Sequence, residues 1–366
     1  MLIRLWIVCV LLAHFATVVC ADATKAGNII LVTLDGVRTQ EIFGGADKAL
    51  MHKDFGGVRD LPALEKKFWR DTPEARRAAL MPFLWNTIAK EGQIFGDVAS
   101  GSPVKITNGQ YFSYPGYNEI LSGFSDTRIN SNDKKYNPNT TVLEYLNSRE
   151  TYKGKTAAWT CWDVFPYIIN DKRSGVRVWS GETGGTPPYQ QPKGERQHAL
   201  NELFMQMPPV WKGVCFDVFC FWPAMDAMKD GSARVIYAGF GETDDWAHDK
   251  RYDCYLDAAH RCDDYIRQLW ETAQSLPAYK DKTAIVITTD HGSGDNQVTW
   301  TGHGQKNKTS ELGWIAVIGP DTPALGVRKD TPVTQSQVAA TVAHLLGEDF
   351  TTTNTLVAKP LDGVRK

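Results

Sequence analysis

The chain has 366 residues, 42% of them hydrophobic and 22% charged, with a formal net charge of −2 at pH 7. This composition is typical of a globular protein, and the length suits one large domain or two smaller ones. It has neither the basic excess of a nucleic-acid-binding surface nor an acidic, disordered tail.

Residues 1–23 are predicted to be a signal peptide. Arg4 precedes an apolar run over 5–19, and small residues follow at 20–23. A positive start, an apolar core and a small-residue cleavage site are typical of export, so we expect a secreted or periplasmic protein. Lipidation of Cys20 is a weaker alternative, because Val19 is bulky for the position before a lipidated cysteine. An uncleaved N-terminal anchor is the other membrane alternative, although the run is short for a membrane span.

Residues 24–366 are predicted to form a single α/β domain. Continuous apolar, β-branched runs bounded by turn residues are typical of strands in a parallel sheet that is covered on both faces. The predicted strands are Asn28–Leu34, Lys155–Thr160, Ala233–Ala238, Thr283–Thr288 and Gly313–Ile318. The predicted helices are Leu80–Lys90, Tyr252–Ser275 and Gln335–Leu346. This alternation favours a doubly wound, mostly parallel sheet with helices on both faces.

Three local features complete the prediction of the fold. Thr334 is expected to cap the last helix and Gly347 to end it. The stretch 170–206 is polar and rich in Gly and Pro, and we interpret it as an excursion, or a cap over the site, without assigned structure.

Five cysteines follow the predicted signal peptide, an odd number that leaves at least one without an intramolecular partner. Cys215 and Cys220 could pair across a turn. Cys254 and Cys262 are expected on one helix, about 12 Å apart, too far to bridge each other.

Polar side chains follow the predicted strands, where ligands gather in open α/β sheets. Asp35 ends the first strand, and the others follow later strands: Asp244, His248, Asp290, His291 and His303. A single residue of this kind is most often a helix cap or a hydrogen-bonded side chain. Together they place three carboxylates and three imidazoles at one edge, where the carboxylates would repel one another without cations. Carboxylate with imidazole suits zinc, and three imidazoles argue against calcium, so we expect two divalent ions, most plausibly Zn²⁺.

Ser113 is the predicted nucleophile. Pro115 favours the first turn of a helix, which places Ser113 near a helix N-terminus suited to a phosphate. A role as a simple N-cap is the structural alternative. A bound metal would stabilise the serine alkoxide, so no histidine base is required.

With these motifs in this order, the chain resembles the alkaline phosphatase superfamily, closest to its nucleotide pyrophosphatase/phosphodiesterase and metal-dependent phosphomutase branch. The resemblance runs from Thr33-Leu-Asp-Gly-Val-Arg to Thr341-Val-Ala-His-Leu-Leu-Gly. It implies that one metal is bound by Asp35, Ser113, Asp290 and His291. It implies that the other is bound by Asp244, His248 and His303. Ser113 would attack phosphorus and form a phosphoseryl enzyme.

The chain departs from these families at several positions. Many diesterase relatives use Thr where this chain has Ser113. The segment Ser-Tyr-Pro-Gly-Tyr is similar to a sulfatase pattern but has Tyr117 where that family has Arg. A family Asn that contacts the phosphate falls near both Asn130 and Asn132, and we name Asn132. Asp245 is expected to support the ligands rather than bind metal.

The sequence therefore predicts an exported two-metal hydrolase that acts on small-molecule phosphate esters, either as a phosphodiesterase or as a phosphomonoesterase. Arg38 and Lys105 are candidate cations for the charged oxygens of a monoester. The alternatives are a sulfatase-like enzyme, a phosphomutase, and a non-catalytic protein that binds a phosphate ligand.

Overall fold

An eight-stranded sheet forms the centre of the computed structural model, which describes residues 25–181 and 185–366; the predicted signal peptide lies outside the described residues. The strand order is β10-β2-β9-β7-β1-β6-β4-β5, and a small second sheet has the order β11-β3-β8. The strands are β1 (Asn28–Leu34), β2 (Gln93–Phe95), β3 (Val104–Lys105), β4 (Thr156–Thr160), β5 (Arg177–Ser180), β6 (Val235–Phe240), β7 (Thr283–Thr288), β8 (Leu312–Gly313), β9 (Ile315–Ile318), β10 (Gly326–Val327) and β11 (Val333–Thr334). In the large sheet, β9 pairs antiparallel with β2 and β7, and the other pairings are parallel.

Helices surround the sheet. They are α1 (Thr39–Gly44), α2 (Lys53–Gly56), α3 (Leu61–Phe68), α4 (Pro73–Leu80), α5 (Ala89–Glu91), α6 (Ser113–Ser122), α7 (Val142–Ser148), α8 (Phe165–Ile169), α9 (Asp171–Ser174), α10 (Gly194–Gln206), α11 (Val218–Lys229), α12 (Glu242–His248), α13 (Tyr252–Ser275) and α14 (Gln337–Leu345). A π-helix spans Leu84–Ile88, and short 3₁₀ turns span Val98–Ser100, Lys308–Glu311 and Phe350–Thr353. None of the helices in the described part of the chain is long and apolar enough to cross a membrane.

The central strand β1 shows why the sheet is covered on both faces. Successive side chains of a strand point to opposite faces. Ile30, Val32 and Leu34 are buried in one hydrophobic core, whereas Ile29 and Leu31 are buried in the other. Every residue of β1 is therefore buried, which explains the continuous apolar run, and the predicted fold class is confirmed.

The parallel register aligns the carboxyl ends of three neighbouring strands. Leu34 of β1 pairs with Phe240 of β6, and Thr33 pairs with Thr288 of β7. The loops that follow these three strands therefore leave the sheet at one edge.

The predicted helix over 80–90 is confirmed from residue 82 on, but its start is wrong. Residues 82–91 are continuously helical, with the π-helix in their middle, whereas Leu80 is the last residue of α4 and Met81 separates the two helices. Pro82 accounts for the break, because the residue before a proline is disfavoured in the helical region, and Met81 has φ −127° and ψ 73°.

The strand and helix predicted near the C-terminus also differ in detail from the structure. The run 313–318 divides at the buried Trp314, with β8 in the small sheet and β9 in the large one. Thr334 does not cap the last helix, since it pairs with Lys105 in the small sheet, and α14 begins after Ser336. Gly347, with φ +77°, follows the end of α14 as predicted.

The stretch 170–206 has more structure than its composition indicates. Its described residues contain α9, β5 and α10, and β5 extends the central sheet by pairing parallel with β4. Trp179 of β5 contacts Phe204 of α10 with ring centroids 5.8 Å apart, so α10 packs back onto the sheet edge.

The cysteine pairing differs from the prediction. Cys220 forms its disulfide with Cys161 at the end of β4, and Cys215 is a buried free thiol. Tertiary packing brings Cys161 next to Cys220 from 59 residues away, which sequence spacing cannot indicate. Cys254 and Cys262 do not bridge each other, as predicted.

Candidate metal centre

The first two carboxylates of the site follow adjacent strands. Asp35 comes directly after β1 and Asp290 shortly after β7. Gly36, which has φ +63°, lets the loop after β1 lie close to Asp244, because a Cβ at position 36 would be 2.6 Å from Oδ1 of Asp244. Its amide donates to Oδ1 of Asp290 over 3.1 Å. The backbone after β1 thus orients one candidate ligand while leaving room for another.

His291 lies between Asp35 and Asp290. Its Nε2 is 3.3 Å from Oδ1 of Asp35 and 3.4 Å from Oδ2 of Asp290. All three side chains are buried. One candidate ligand atom from each lies within 4.8 Å of the others, which is close enough to bind one ion.

A second group forms around Asp244 on α12. His248 is four residues later on the same helix, and its Nε2 is 3.1 Å from Oδ2 of Asp244. His303 reaches the group from a loop, with its Nε2 3.1 Å from Nε2 of His248 and 3.9 Å from Oδ2 of Asp244. The rings of His303 and His291 stack at 3.9 Å, so the two groups are adjacent.

The unpaired polar atoms of this cluster fit divalent cations. Four buried atoms have no hydrogen-bond partner among the described residues: Oδ1 of Asp35, Oδ1 of Asp244, Oδ2 of Asp290 and Nε2 of His291. An unpaired buried carboxylate oxygen is costly, and a cation removes that cost. The mixed carboxylate and imidazole set matches zinc better than an all-oxygen calcium site.

Backbone carbonyls orient two of the imidazoles. Nδ1 of His291 is 3.0 Å from the carbonyl oxygen of Gly292, and Nδ1 of His303 is 3.2 Å from that of Tyr111. A carbonyl only accepts hydrogen bonds, so each Nδ1 carries a proton, and Nε2 presents its lone pair when the ring is neutral. This is the usual arrangement of histidine ligands to metals.

The charges of the cluster are strongly coupled. Asp244 raises the pKa of His248 to about 9. Burial lowers the pKa of His291, but Asp290 and Asp35 outweigh it and raise that pKa to about 10. Burial and Asp35 together raise the pKa of Asp290 well above its usual range. A cation that binds here must therefore displace protons, so its affinity increases with pH.

Ser113 is the first residue of α6 and is buried. It lines a cavity of about 190 Å³ together with Asp35, Asp244, His248 and His303. The partial positive charge at the N-terminus of this ten-residue helix lies at the cavity. α6 packs closely on the Asp290 loop, because a Cβ on Gly116 would overlap the carbonyl oxygen of Asp290.

Asn132 lines the same cavity as Ser113, whereas Asn130 lines a different one. Oδ1 of Asn132 accepts a hydrogen bond from the amide of Tyr114 over 3.0 Å. That bond leaves the amide NH₂ group as the donor that can face a ligand. The structure thus distinguishes two residues that the sequence left open.

The two cations considered for substrate binding are used elsewhere. Arg38 is buried and paired with Glu41, and its Nη1 donates to the carbonyl oxygen of Gly294 over 2.8 Å. Lys105 pairs with Glu311. Neither of the two lines the cavity at Ser113, so the expectation that they bind substrate is not supported.

Several residues of the site were not found from sequence. The hydroxyl of Tyr117 donates to Oδ2 of Asp35 over 2.8 Å, and the hydroxyl of Thr243 donates to the backbone carbonyl oxygen of Asp35. Asp245, which was expected from the sequence to support the ligands, lines the cavity at Ser113, and its Oδ1 accepts from Nε1 of Trp211 over 2.7 Å. Trp162, Trp211 and Lys212 line the cavity as well. Only Tyr117 had a sequence signal, as the departure from the sulfatase pattern.

A larger cavity, of about 580 Å³, lies elsewhere in the described chain, between residues 82–91 and α13. Its lining includes none of the seven residues predicted to bind metal. We therefore take the smaller cavity at Ser113 as the candidate site, because the candidate ligands and the helix N-terminus meet there.

No protein-family model matches the chain, and no curated protein matches it. Solved structures do. Wild-type alkaline phosphatase PafA is similar with a TM-score of 0.60 at 11% identity, covering 94% of this chain and 99% of that one. Ps i-CgsB, in complex with k-i-k-neocarrahexaose, gives a TM-score of 0.55 at 17% identity, covering 92% and 75%. A putative sulfatase from Bacteroides thetaiotaomicron gives 0.53 at 12% identity, covering 92% and 72%.

These likenesses are at low sequence identity and concern the fold. They cover 92% and 94% of this chain. The chain thus has an alkaline-phosphatase-like α/β fold.

Proposed function

We propose that the protein is an exported, metal-dependent hydrolase of phosphate esters that belongs to the alkaline phosphatase superfamily, with Ser113 as its nucleophile. One observation carries the proposal. Three carboxylates, three imidazoles and Ser113, from five separate segments of the chain, meet beside one cavity at the carboxyl edge of the sheet.

The ligand set supports two zinc ions. Asp35, Ser113, Asp290 and His291 would hold one, and Asp244, His248 and His303 the other. When bound, these ions supply positive charge that stabilises the Ser113 alkoxide and the leaving oxygen. The Ser113 amide at the start of α6 and the Asn132 side chain are the groups left to donate to non-bridging phosphate oxygens, because the Tyr114 amide bonds to Asn132 and Pro115 has no N–H.

The covalent steps then follow from Ser113. Its Oγ attacks phosphorus in line, and the bond from phosphorus to the alcohol oxygen breaks. The alcohol leaves with a proton, and water then cleaves the phosphoseryl ester and regenerates Ser113. Positioning and charge neutralisation account for most of the rate in such transfers.

The cavity lining favours an ester with one negative charge. Apart from the histidines, Lys212 is the one cationic side chain among the described residues of the lining, and it is exposed. A monoester carries a second charged oxygen, for which the lining adds the aromatic rings of Trp162 and Trp211 but no further cation. We therefore propose phosphodiesters ahead of phosphomonoesters.

A sulfate ester hydrolase is the second candidate. The fold is also similar to that of a putative sulfatase, and sulfate monoesters carry a single charge. Against it, Ser113 rather than Cys stands at the nucleophile position, and Tyr117 donates a hydrogen bond to Asp35 where the sulfatase pattern has Arg.

A panel of aryl esters tests the proposal. Zinc-loaded protein would be assayed with bis-p-nitrophenyl phosphate, p-nitrophenyl phosphate and p-nitrophenyl sulfate, alongside Ser113→Ala and the remote, exposed control Ser148→Ala. We expect the diester to react fastest, Ser113→Ala to remove turnover, and Ser148→Ala to retain it. Turnover of the sulfate alone would establish the second candidate, and turnover that survives Ser113→Ala would refute the nucleophile.

Export is a separate part of the proposal, because it rests on the sequence of residues 1–23 alone. Expression of the full chain followed by mass spectrometry of the mature protein would test it. We expect a protein shortened by about the predicted signal peptide outside the cytoplasm. An intact N-terminus on cytoplasmic protein would contradict export and leave the hydrolase proposal standing.

A further inference from the structure

A second cavity, of about 340 Å³, adjoins the catalytic cavity. The same two segments contribute to both cavities. Asn132 and Trp162 line the catalytic cavity, and Lys134 and Asp163, close to them in the chain, line the second. Nζ of Lys134 is 2.7 Å from Oδ2 of Asp163, so this ion pair ties the two segments together. The two cavities are therefore neighbours, and a ligand that extends beyond the ester group has the second cavity next to it.

Three aromatic rings line this second cavity: Tyr136, Tyr167 and Trp179. The rings of Tyr136 and Tyr167 are 4.7 Å apart and inclined at 40°. Trp179 is held by a hydrogen bond from Nε1 to the carbonyl oxygen of Thr186 over 3.1 Å, and by its edge contact with Phe204. These contacts fix the rings, so a ligand meets a preformed surface.

Hydrogen-bonding groups surround these rings. Lys134, Asp163, Ser180 and Gln190 contribute a cation, a carboxylate, a hydroxyl and an amide to the lining. Rigid aromatic faces with a few polar groups around them suit a ligand that has an apolar face and a polar edge. A pyranose ring has both, since its C–H groups form one face and its hydroxyls the edge. A nucleobase is better held between parallel rings, and the tyrosine rings here are inclined.

We propose that this second cavity is a saccharide subsite, and that the ester cleaved at Ser113 is carried by an oligosaccharide. The identity of the substrate as an ester rests on the proposed function above. One sugar unit would occupy the second cavity against Trp179 and Tyr136. The ester-bearing unit would lie against Trp162 and Trp211, which line the catalytic cavity.

The test measures binding separately from turnover. In zinc-loaded Ser113→Ala protein, isothermal titration calorimetry would compare neutral agarohexaose, sulfated neocarrahexaose and AMP. We expect at least one hexasaccharide to bind, and Trp179→Ala and Tyr136→Ala each to weaken that binding about tenfold. Trp179→Phe should retain most of the affinity because it keeps an aromatic ring.

Matched controls exclude a general loss of structure. Phe55→Ala removes an exposed aromatic ring that lines neither cavity, and it should bind hexasaccharide like the parent protein. Circular dichroism and thermal midpoints of all variants would confirm folding. AMP affinity that depends on Trp179 while hexasaccharide binding does not would overturn the proposal, as would failure of both hexasaccharides to bind.

The failure of this inference can be distinguished from failure of the proposed function. Hexasaccharide binding that depends on Trp179, in a protein that cleaves no ester, would remove the hydrolase and retain the saccharide site. Turnover of aryl esters without such binding would retain the hydrolase and remove the saccharide site.

Discussion

At the scale of single residues, the hydroxyl group of Tyr117 holds Asp35 in place. Both side chains are buried, and the hydroxyl donates to Oδ2 of Asp35, which leaves Oδ1 without a partner among the described residues. Burial, Asp290 and Asp35 raise the pKa of Tyr117 well above its usual range, so the hydroxyl stays protonated and remains a donor. The bond thereby orients the free oxygen toward a metal.

Replacing Tyr117 with Phe should lower zinc affinity about 10- to 100-fold, because a hydrogen bond to a ligand is lost while the packing of the ring is kept. Competition with a chromogenic zinc chelator would measure the affinity. Tyr114→Phe is the matched control, since its hydroxyl lies on the same helix but donates to the carbonyl oxygen of Lys135. Equal effects of the two substitutions would show that Tyr117 has no special role at Asp35.

A second single-residue feature sits beside the nucleophile. Tyr111 has φ +56°, a conformation that is strained for a residue other than glycine. Its carbonyl oxygen accepts from Nδ1 of His303, so the strained conformation fixes the orientation of that imidazole. Asn108 holds the turn, because its Oδ1 accepts from the amides of Gln110 and Tyr111 over 2.9 Å each.

At the scale of elements, carboxylates from neighbouring helices position the segments around the site. Asp217, just before α11, accepts from the amide of Gly241 over 2.7 Å and so holds the start of α12, the helix of Asp244 and His248. Asp263 of α13 accepts from the amides of Phe83 and Leu84 over 2.7 and 2.9 Å. It binds the start of the π-helix after the break at Pro82.

Asp263 should make folding stability depend on pH. Burial raises its pKa from 3.8 to about 7, so the folded protein binds this proton more tightly than the unfolded chain. Its contribution is fully present below about pH 3.8 and is lost as the pH rises through about 7. In metal-free protein, we expect the stability of the wild type relative to Asp263→Asn to fall by up to about 1.4 kcal/mol per pH unit.

Urea unfolding of both proteins across this pH range would measure that difference. Ser275→Ala, which changes an exposed residue of the same helix that does not titrate, is the control and should follow the wild type in pH dependence. A difference between wild type and Asp263→Asn that stays constant with pH would contradict the raised pKa.

At the scale of the whole molecule, the metal centre joins segments that are far apart in the chain. Its candidate ligands follow β1, β6 and β7 or lie in the loop around His303, so cations there would hold the carboxyl edge of the sheet together. A ligand that binds only the folded protein stabilises it by mass action.

Zinc at 100 times its dissociation constant should raise the free energy of unfolding by about 2.7 kcal/mol. Differential scanning fluorimetry with zinc or with a chelator would detect the shift in melting temperature, and elemental analysis would give the stoichiometry. We expect His303→Ala to reduce both the shift and the zinc content. His198→Ala, which alters an exposed histidine, should change neither, and an unchanged zinc content in His303→Ala would argue against its role as a ligand.

Strands and helices with a continuous local pattern of apolar residues could be predicted from the sequence alone. β1, β7 and α13 have the predicted bounds, because their apolar runs or periodicity span the whole element. Elements governed by a distant contact were missed or misplaced. β11 replaced a predicted cap because Thr334 pairs with Lys105, and Cys220 pairs with Cys161 across 59 residues.

The same division applies to the site. Asp35, Asp244 and Asp290 could be named from sequence because they follow strands, and parallel strands deliver their carboxyl ends to one edge of a sheet. Tyr117, Trp162, Trp211 and the second cavity could not, because no short-range pattern encodes which side chains meet across loops. The candidate metal ligands can therefore be predicted from the order of the motifs along the chain. The cavity linings around the candidate ligands became visible only in the tertiary structure, because they depend on contacts between segments far apart in the chain.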